Sequence, residues 1–134
     1  MENQGKSAFG LDPNVAAGLA YIPVCFCHLV VSIAIIVTDK TNKLPRFHAF
    51  QSLLLSALMI ITYFACFIIM VILGFAMAAL EVPALGILIF LIYGVMFILL
   101  LAGFVGHVIG CINAFQGKIF KLPVIGNMAD KWSN

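Results

Sequence analysis

Leu44-Pro45-Arg46-Phe47-His48-Ala49-Phe50-Gln51-Ser52 is the stretch on which the fold turns. It is a polar island between long apolar runs. After it, Leu53 to Leu80 is about 28 residues without a charge. Glu81-Val82-Pro83 then reads as a tight turn, and Ala84 to Ala114 is about 31 more residues without a formal charge. Before it, Thr38 to Arg46 is a short basic loop, preceded by Val15 to Val37, about 23 residues with no charge if His28 is neutral. A helix needs roughly 20 apolar residues to cross the hydrocarbon of a bilayer. A second polar cluster, Asn113 to Pro123, follows the last run.

Composition agrees. The 134 residues are 64% apolar and only 9% charged, too little polar surface for a dissolved globular domain of ordinary composition. The expectation is an all-α integral membrane protein of three transmembrane helices, about 14–37, 46–80 and 84–114, in a single membrane domain, 1–134, with an interfacial tail at 115–134. Asp12-Pro13 reads as a helix start, and Pro45 as the opening of the second helix. Pro23 should kink the first span and free a carbonyl that needs a partner elsewhere. With Glu2, Lys6 and no small-residue cleavage site, the N-terminal segment is not expected to be a signal peptide.

Charge sets the expected orientation. Three spans put Lys6 and Glu81 on one side, and Lys40, Lys43, Arg46, Lys118, Lys121 and Lys131 on the other. The positive-inside rule makes the second side cytoplasmic, with the N-terminus outside, in a bacterial-type inner membrane. Upright, the second and third spans reach about 42 and 46 Å, against roughly 30 Å of hydrocarbon. Either tilt absorbs the excess, or a partner covers the apolar residues around Glu81.

Several groups invite a chemical reading. Arg46, His48, Gln51 and Ser52 with Asn113, Gln116, Lys118 and Lys121 form a cytoplasmic interface cluster. It reads either as a recognition site for a headgroup, peptide or partner loop, or as interfacial anchoring. Ala102, Gly106, Gly110 and Ala114, each four apart, make a small-residue stripe for close helix packing. His28 and His107 lie within apolar spans, with Gly103, Gly106 and Gly110 leaving room beside His107 for a flat macrocycle. Haem or a chlorophyll-type magnesium is one reading, and a neutral histidine bonded to a backbone carbonyl is the other. Cys25, Cys27, Cys66 and Cys111 read as small buried hydrophobes, since Cys25-Phe26-Cys27-His28 is no haem-attachment motif. No metal site, spaced carboxylates, phosphate loop or nucleophile elbow is present in the pattern, so an enzyme is not expected, nor a nucleic-acid partner.

Three segments carry a family resemblance: Leu11-Asp12-Pro13-Asn14-Val15-Ala16-Ala17, Arg46-Phe47-His48-Ala49-Phe50-Gln51-Ser52, and Phe115-Gln116-Gly117-Lys118 with Lys121-Leu122-Pro123-Val124-Ile125-Gly126. In order and spacing they resemble a family of small bacterial and archaeal membrane proteins of unknown function. That family is considered similar to the Tic-type channel component of the chloroplast inner envelope. A common version has tryptophan where Phe50 stands. The resemblance implies a membrane fold over nearly the whole chain and a part in protein translocation, although the plant proteins are usually drawn with four spans. The leading expectation from the residues themselves is an accessory or scaffold subunit of a larger membrane complex, in contact with membrane lipids and other membrane-protein subunits. The alternatives are a Tic-like translocation component and a pigment- or haem-binding subunit.

Overall fold

A computed structural model describes residues 5–7, 10–22 and 27–134. Every regular element among them is a helix: α1 (Pro13–Leu19), α2 (Cys27–Thr38), α3 (Lys43–Leu80), α4 (Leu85–Phe115) and α5 (Ile125–Ser133). Two of these, α3 and α4, are long and apolar enough to cross a membrane. Their bounds lie close to those read from the charge-free runs. Between them Glu81 takes a left-handed backbone (φ 53°), which ends α3, and the N–H groups of Leu85 and Gly86 return to the carbonyls of Val82 and Pro83.

The first apolar run departs from expectation. It is not one crossing helix. α1 has only seven residues and α2 twelve, and Tyr21 and Ile22 lie outside both. α1 does begin at Pro13 after Asp12, but the Asp12 side chain makes no capping bond. The kink expected at Pro23 lies outside the described residues. The two helices run antiparallel. Leu11, Ala16 and Ala20 pack with Val31, Ile35 and Ile36, and the Ser32 hydroxyl donates to the Ala20 carbonyl (3.3 Å). The flanks of the run meet, with the Ser7 hydroxyl donating to the Asp39 carboxylate. A 23-residue crossing helix would hold those flanks about 35 Å apart. The expected three crossings, which put the N-terminal segment and the Thr38–Arg46 loop on opposite sides, do not fit this contact.

The described residues fall into two compact units, one up to Ser56 and from Val105 onward, the other Ala57–Phe104. The first holds the core. Ala17, Tyr21, Leu44 and Ala114 form one buried cluster, and Ala16, Ala20, Ile35 and Ala49 another. Close approach depends on glycine: a Cβ on Gly18 would meet the Phe115 ring at 2.5 Å, and one on Gly110 the Tyr21 ring at 2.5 Å. Arg46 joins α3 to the C-terminus of α2, its Nη1 donating to the carbonyls of Ile36 (3.0 Å) and Asp39 (2.9 Å). The tail, expected to lie at the interface, folds back on the start of α3. Asp130 of α5 pairs with Lys43 (3.0 Å) and Lys121 (2.8 Å), and Trp132 meets Phe50 edge to face. α5 starts after Pro123, where Val124 is left-handed (φ 67°) and Gly126 presses on the Lys121 backbone.

The second unit is a bare helical hairpin. No residue from Ala57 to Ala102 is fully buried. Its arms, about 24 residues of α3 and about 20 of α4, are about 36 and 30 Å long, close to the thickness of the hydrocarbon. The Tyr63 hydroxyl donates to the Met96 carbonyl (2.6 Å), and Met59 fills the space beside Gly103. A groove of about 440 Å³ runs between the arms, lined by Cys66, Ile69 and Leu73 against Leu88, Leu91 and Val95.

Candidate functional site

The second and third turns of α3 carry a polar set that faces inward. His48, Gln51 and Ser52 are 0% exposed. Their spacing, three and four residues apart, stacks them on one helix face. The Gln51 amide donates to the Tyr21 hydroxyl (2.9 Å) and to the Phe120 carbonyl (3.0 Å), and its oxygen accepts the Leu122 N–H (3.0 Å). His48 Nε2 lies 3.0 Å from the Lys118 carbonyl and Nδ1 lies 3.2 Å from the Tyr21 hydroxyl. A carbonyl can only accept, so Nε2 carries the proton. In the neutral ring Nδ1 then accepts from Tyr21, whose oxygen in turn accepts from Gln51. Donors and acceptors close into one directional chain. The Ser52 hydroxyl donates to the Ala20 carbonyl, the acceptor that Ser32 also uses.

These bonds turn the interface cluster into a latch. His48, Gln51 and Ser52 are spent on the chain itself and are closed to a headgroup. Arg46 is half-buried and caps α2, while its Nε has no partner. Asn113 donates to the Ile109 carbonyl of its own helix (2.9 Å). Gln116 and Lys118 are exposed and bond to each other (2.8 Å). Lys121 is held by Asp130. The residues expected to act as one surface site therefore divide between an interior latch and a rim.

The small-residue stripe is also divided. Gly106, Gly110 and Ala114 are buried, against Leu55, Tyr21 and the Ala17–Leu44 cluster respectively, but Ala102 is exposed. The partner surface of the three is internal to the chain. The space expected beside His107 for a macrocycle is filled: Gly103 by Met59, Gly106 by Leu55, Gly110 by the Tyr21 ring. The residues present do not fit haem or chlorophyll at that position.

His28 and His107 come together even so. Their rings are 5.4 Å apart and nearly perpendicular. Ser56 lies between them, its hydroxyl 3.0 Å from His28 Nε2 and 3.5 Å from His107 Nε2. The Ala20 carbonyl at the break of the first run is taken by Ser32 and Ser52. Of the cysteines, Cys27 is exposed and Cys66 and Cys111 are half-buried, so none of these three is the fully buried hydrophobe expected. Cys25 lies outside the described residues.

Tyr21, Ser32, Asp39 and Ser56 were not singled out by the pattern, yet each holds a junction. For Tyr21 a signal existed, because a tyrosine inside an apolar run must find a partner for its hydroxyl. Asp39 sits in the basic loop. Burial raises its carboxyl, but bonds from the Ser7 hydroxyl, the Asn42 and Thr41 N–H groups and the Asn42 amide outweigh that and hold it below the usual carboxylate range. Asp130 is likewise held low by Lys121 and Lys43.

The chain is similar over almost its full length to the UPF0132 membrane protein of Methanocaldococcus jannaschii, with 29% identity over 131 residues that make up 96% of each chain. No solved structure matches it. Residues 12–129 match the magnetosome magnetite crystal formation protein family (MamF/MmsF), far more than half of the sequence, and the chain belongs to that family.

Proposed function

We propose that this small membrane protein is a non-enzymatic accessory subunit of a larger membrane complex. The observation that carries the reading is the bare hairpin. Its helices have bilayer length, bury almost nothing against each other, and leave Phe75 and Phe90 about three-quarters exposed. Lipid can cover such a surface, but large aromatic side chains along a thin hairpin also offer the grip that another membrane protein uses. The family's description makes magnetite crystal formation the process that this subunit would serve. A translocation role of the Tic type rests on the sequence resemblance alone.

The placement that goes with this reading has two crossings, α3 and α4, while α1 and α2 enter and leave from one face. All seven lysines and arginines then share that face, with Glu81 opposite. The positive-inside rule makes the basic face cytoplasmic in a bacterial-type inner membrane. Three crossings would strand Lys6 on the outside.

The test is a photo-crosslinking amino acid at Phe90 in native membranes. The expected result is an adduct of defined mass with a different membrane protein. No protein adduct, or one only at twice the chain's own 14.5 kDa, overturns the accessory role.

A further inference from the structure

We infer that His28, Ser56 and His107 form a binding site for a soft monovalent cation, copper(I) or silver(I). Two imidazole nitrogens converge on a single hydroxyl oxygen, at 3.0 and 3.5 Å. The near-perpendicular rings, 5.4 Å apart, meet edge on rather than stacked. Imidazole nitrogens bind transition metals at about 2.0–2.1 Å, so two ligands across one ion stand about 4 Å apart. Two nitrogens at 3.0 and 3.5 Å from one oxygen leave such a separation within reach, with the ion beside Ser56.

His28 is 6% exposed, and among the described residues its Nδ1 has no hydrogen-bond partner. Nε2, which faces Ser56, is the nitrogen that a metal would take, so Nδ1 would then carry the ring proton.

The donor set selects the ion. Imidazole and hydroxyl bind a metal as neutral ligands. Among the described residues no group of three or more His, Cys, Asp or Glu gathers to hold a metal, so no carboxylate is at hand to balance charge. The solvation cost of an ion in a low-dielectric medium grows with the square of its charge, so a divalent ion would cost about four times as much as a monovalent one. Hard monovalent ions such as sodium prefer oxygen. Imidazole suits copper. The choice of charge rests on the membrane placement proposed above, whereas binding itself is read in detergent micelles and does not depend on which face is cytoplasmic or on any partner.

The four cysteines also bind copper(I), so the test removes them. A variant with every cysteine changed to alanine is loaded with copper(I) under reducing conditions, desalted, and assayed for retained metal. The expected result is about one equivalent, falling to none in His28→Gln and in His107→Gln, with an X-ray absorption edge of low-coordinate nitrogen ligation. If the cysteine-free protein does not fold, the wild-type chain is compared with the His28→Gln, His107→Gln double variant, and the expected difference is about one equivalent. Equal retention with and without the histidines overturns the site. So does no retention by a cysteine-free protein of wild-type helix content.

Discussion

Gln51→Leu is the perturbation that tests the latch most directly. Leucine is close to glutamine in volume, so the change removes polarity with little change in packing. Three hydrogen bonds go: to the Tyr21 hydroxyl, to the Phe120 carbonyl and from the Leu122 N–H. Each is worth about 1 kcal/mol net, and the last two hold the tail, so the tail should lose about 2 kcal/mol of its docking energy. At 1.4 kcal/mol per factor of ten, the released state becomes roughly thirtyfold more populated. Trypsin reads that population at Lys118 and Lys121, because cleavage follows the open fraction when opening is fast relative to cutting. Gln116→Leu is the control. Gln116 is exposed and its side chain accepts from the Lys118 ammonium, so the cleavage rate of this variant should match the parent. If Gln51→Leu also matches the parent, in cleavage and in unfolding midpoint, the tail is not held by this residue and the latch reasoning fails.

Gly110→Ala should cost about 1–3 kcal/mol, since its Cβ would lie 2.5 Å from a Tyr21 ring that has no room to move, whereas Gly94→Ala, with open space around it, should be neutral or slightly stabilising; thermal unfolding in detergent compares them. Asp39 is held below its unfolded value, so its contribution is present above about pH 4 and is lost as pH falls through the folded value. The midpoint of the parent should therefore drop on acidification, and Asp39→Asn should lower it by about 1–3 kcal/mol near neutrality while flattening that acid limb. For topology, single cysteines in a cysteine-free background should label from outside at position 81 only. Positions 6, 41 and 128 should react after permeabilisation, and labelling of position 6 in intact cells would refute the two-crossing placement.

Much of this was legible in the sequence. The two charge-free runs after Ser52 gave α3 and α4, and Glu81-Val82-Pro83 gave the turn between them. The first run was misread for a physical reason. Length and hydropathy treat Val15–Val37 as they treat any span, and neither measure registers that Ser32 and Ser52 converge on the Ala20 carbonyl or that Ser7 reaches Asp39. Those contacts join residues far apart in the chain. The polar island was legible as a cluster, but not its partners. Nothing in the spacing of His48 and Gln51 says that they bond backbone groups at Lys118, Phe120 and Leu122.

One motif thus meets two needs of a chain in lipid. Backbone outside a helix must have its polar groups satisfied where water is scarce. Among the described residues two such segments lie against the start of α3: the break after α1, and the irregular stretch before α5. Ser52 takes up the Ala20 carbonyl of the first, and Gln51 and His48 take up the carbonyls and N–H of the second. Tyr21 links them, since its hydroxyl sits between Gln51 and His48 while its ring covers Gly110. Removing Tyr21 therefore strips both segments of a shared partner. Gln51→Leu and Tyr21→Phe should be strongly non-additive, because the bond between them can be lost only once. A double variant whose loss equals the sum of the two single losses would mean that the break and the tail are held independently.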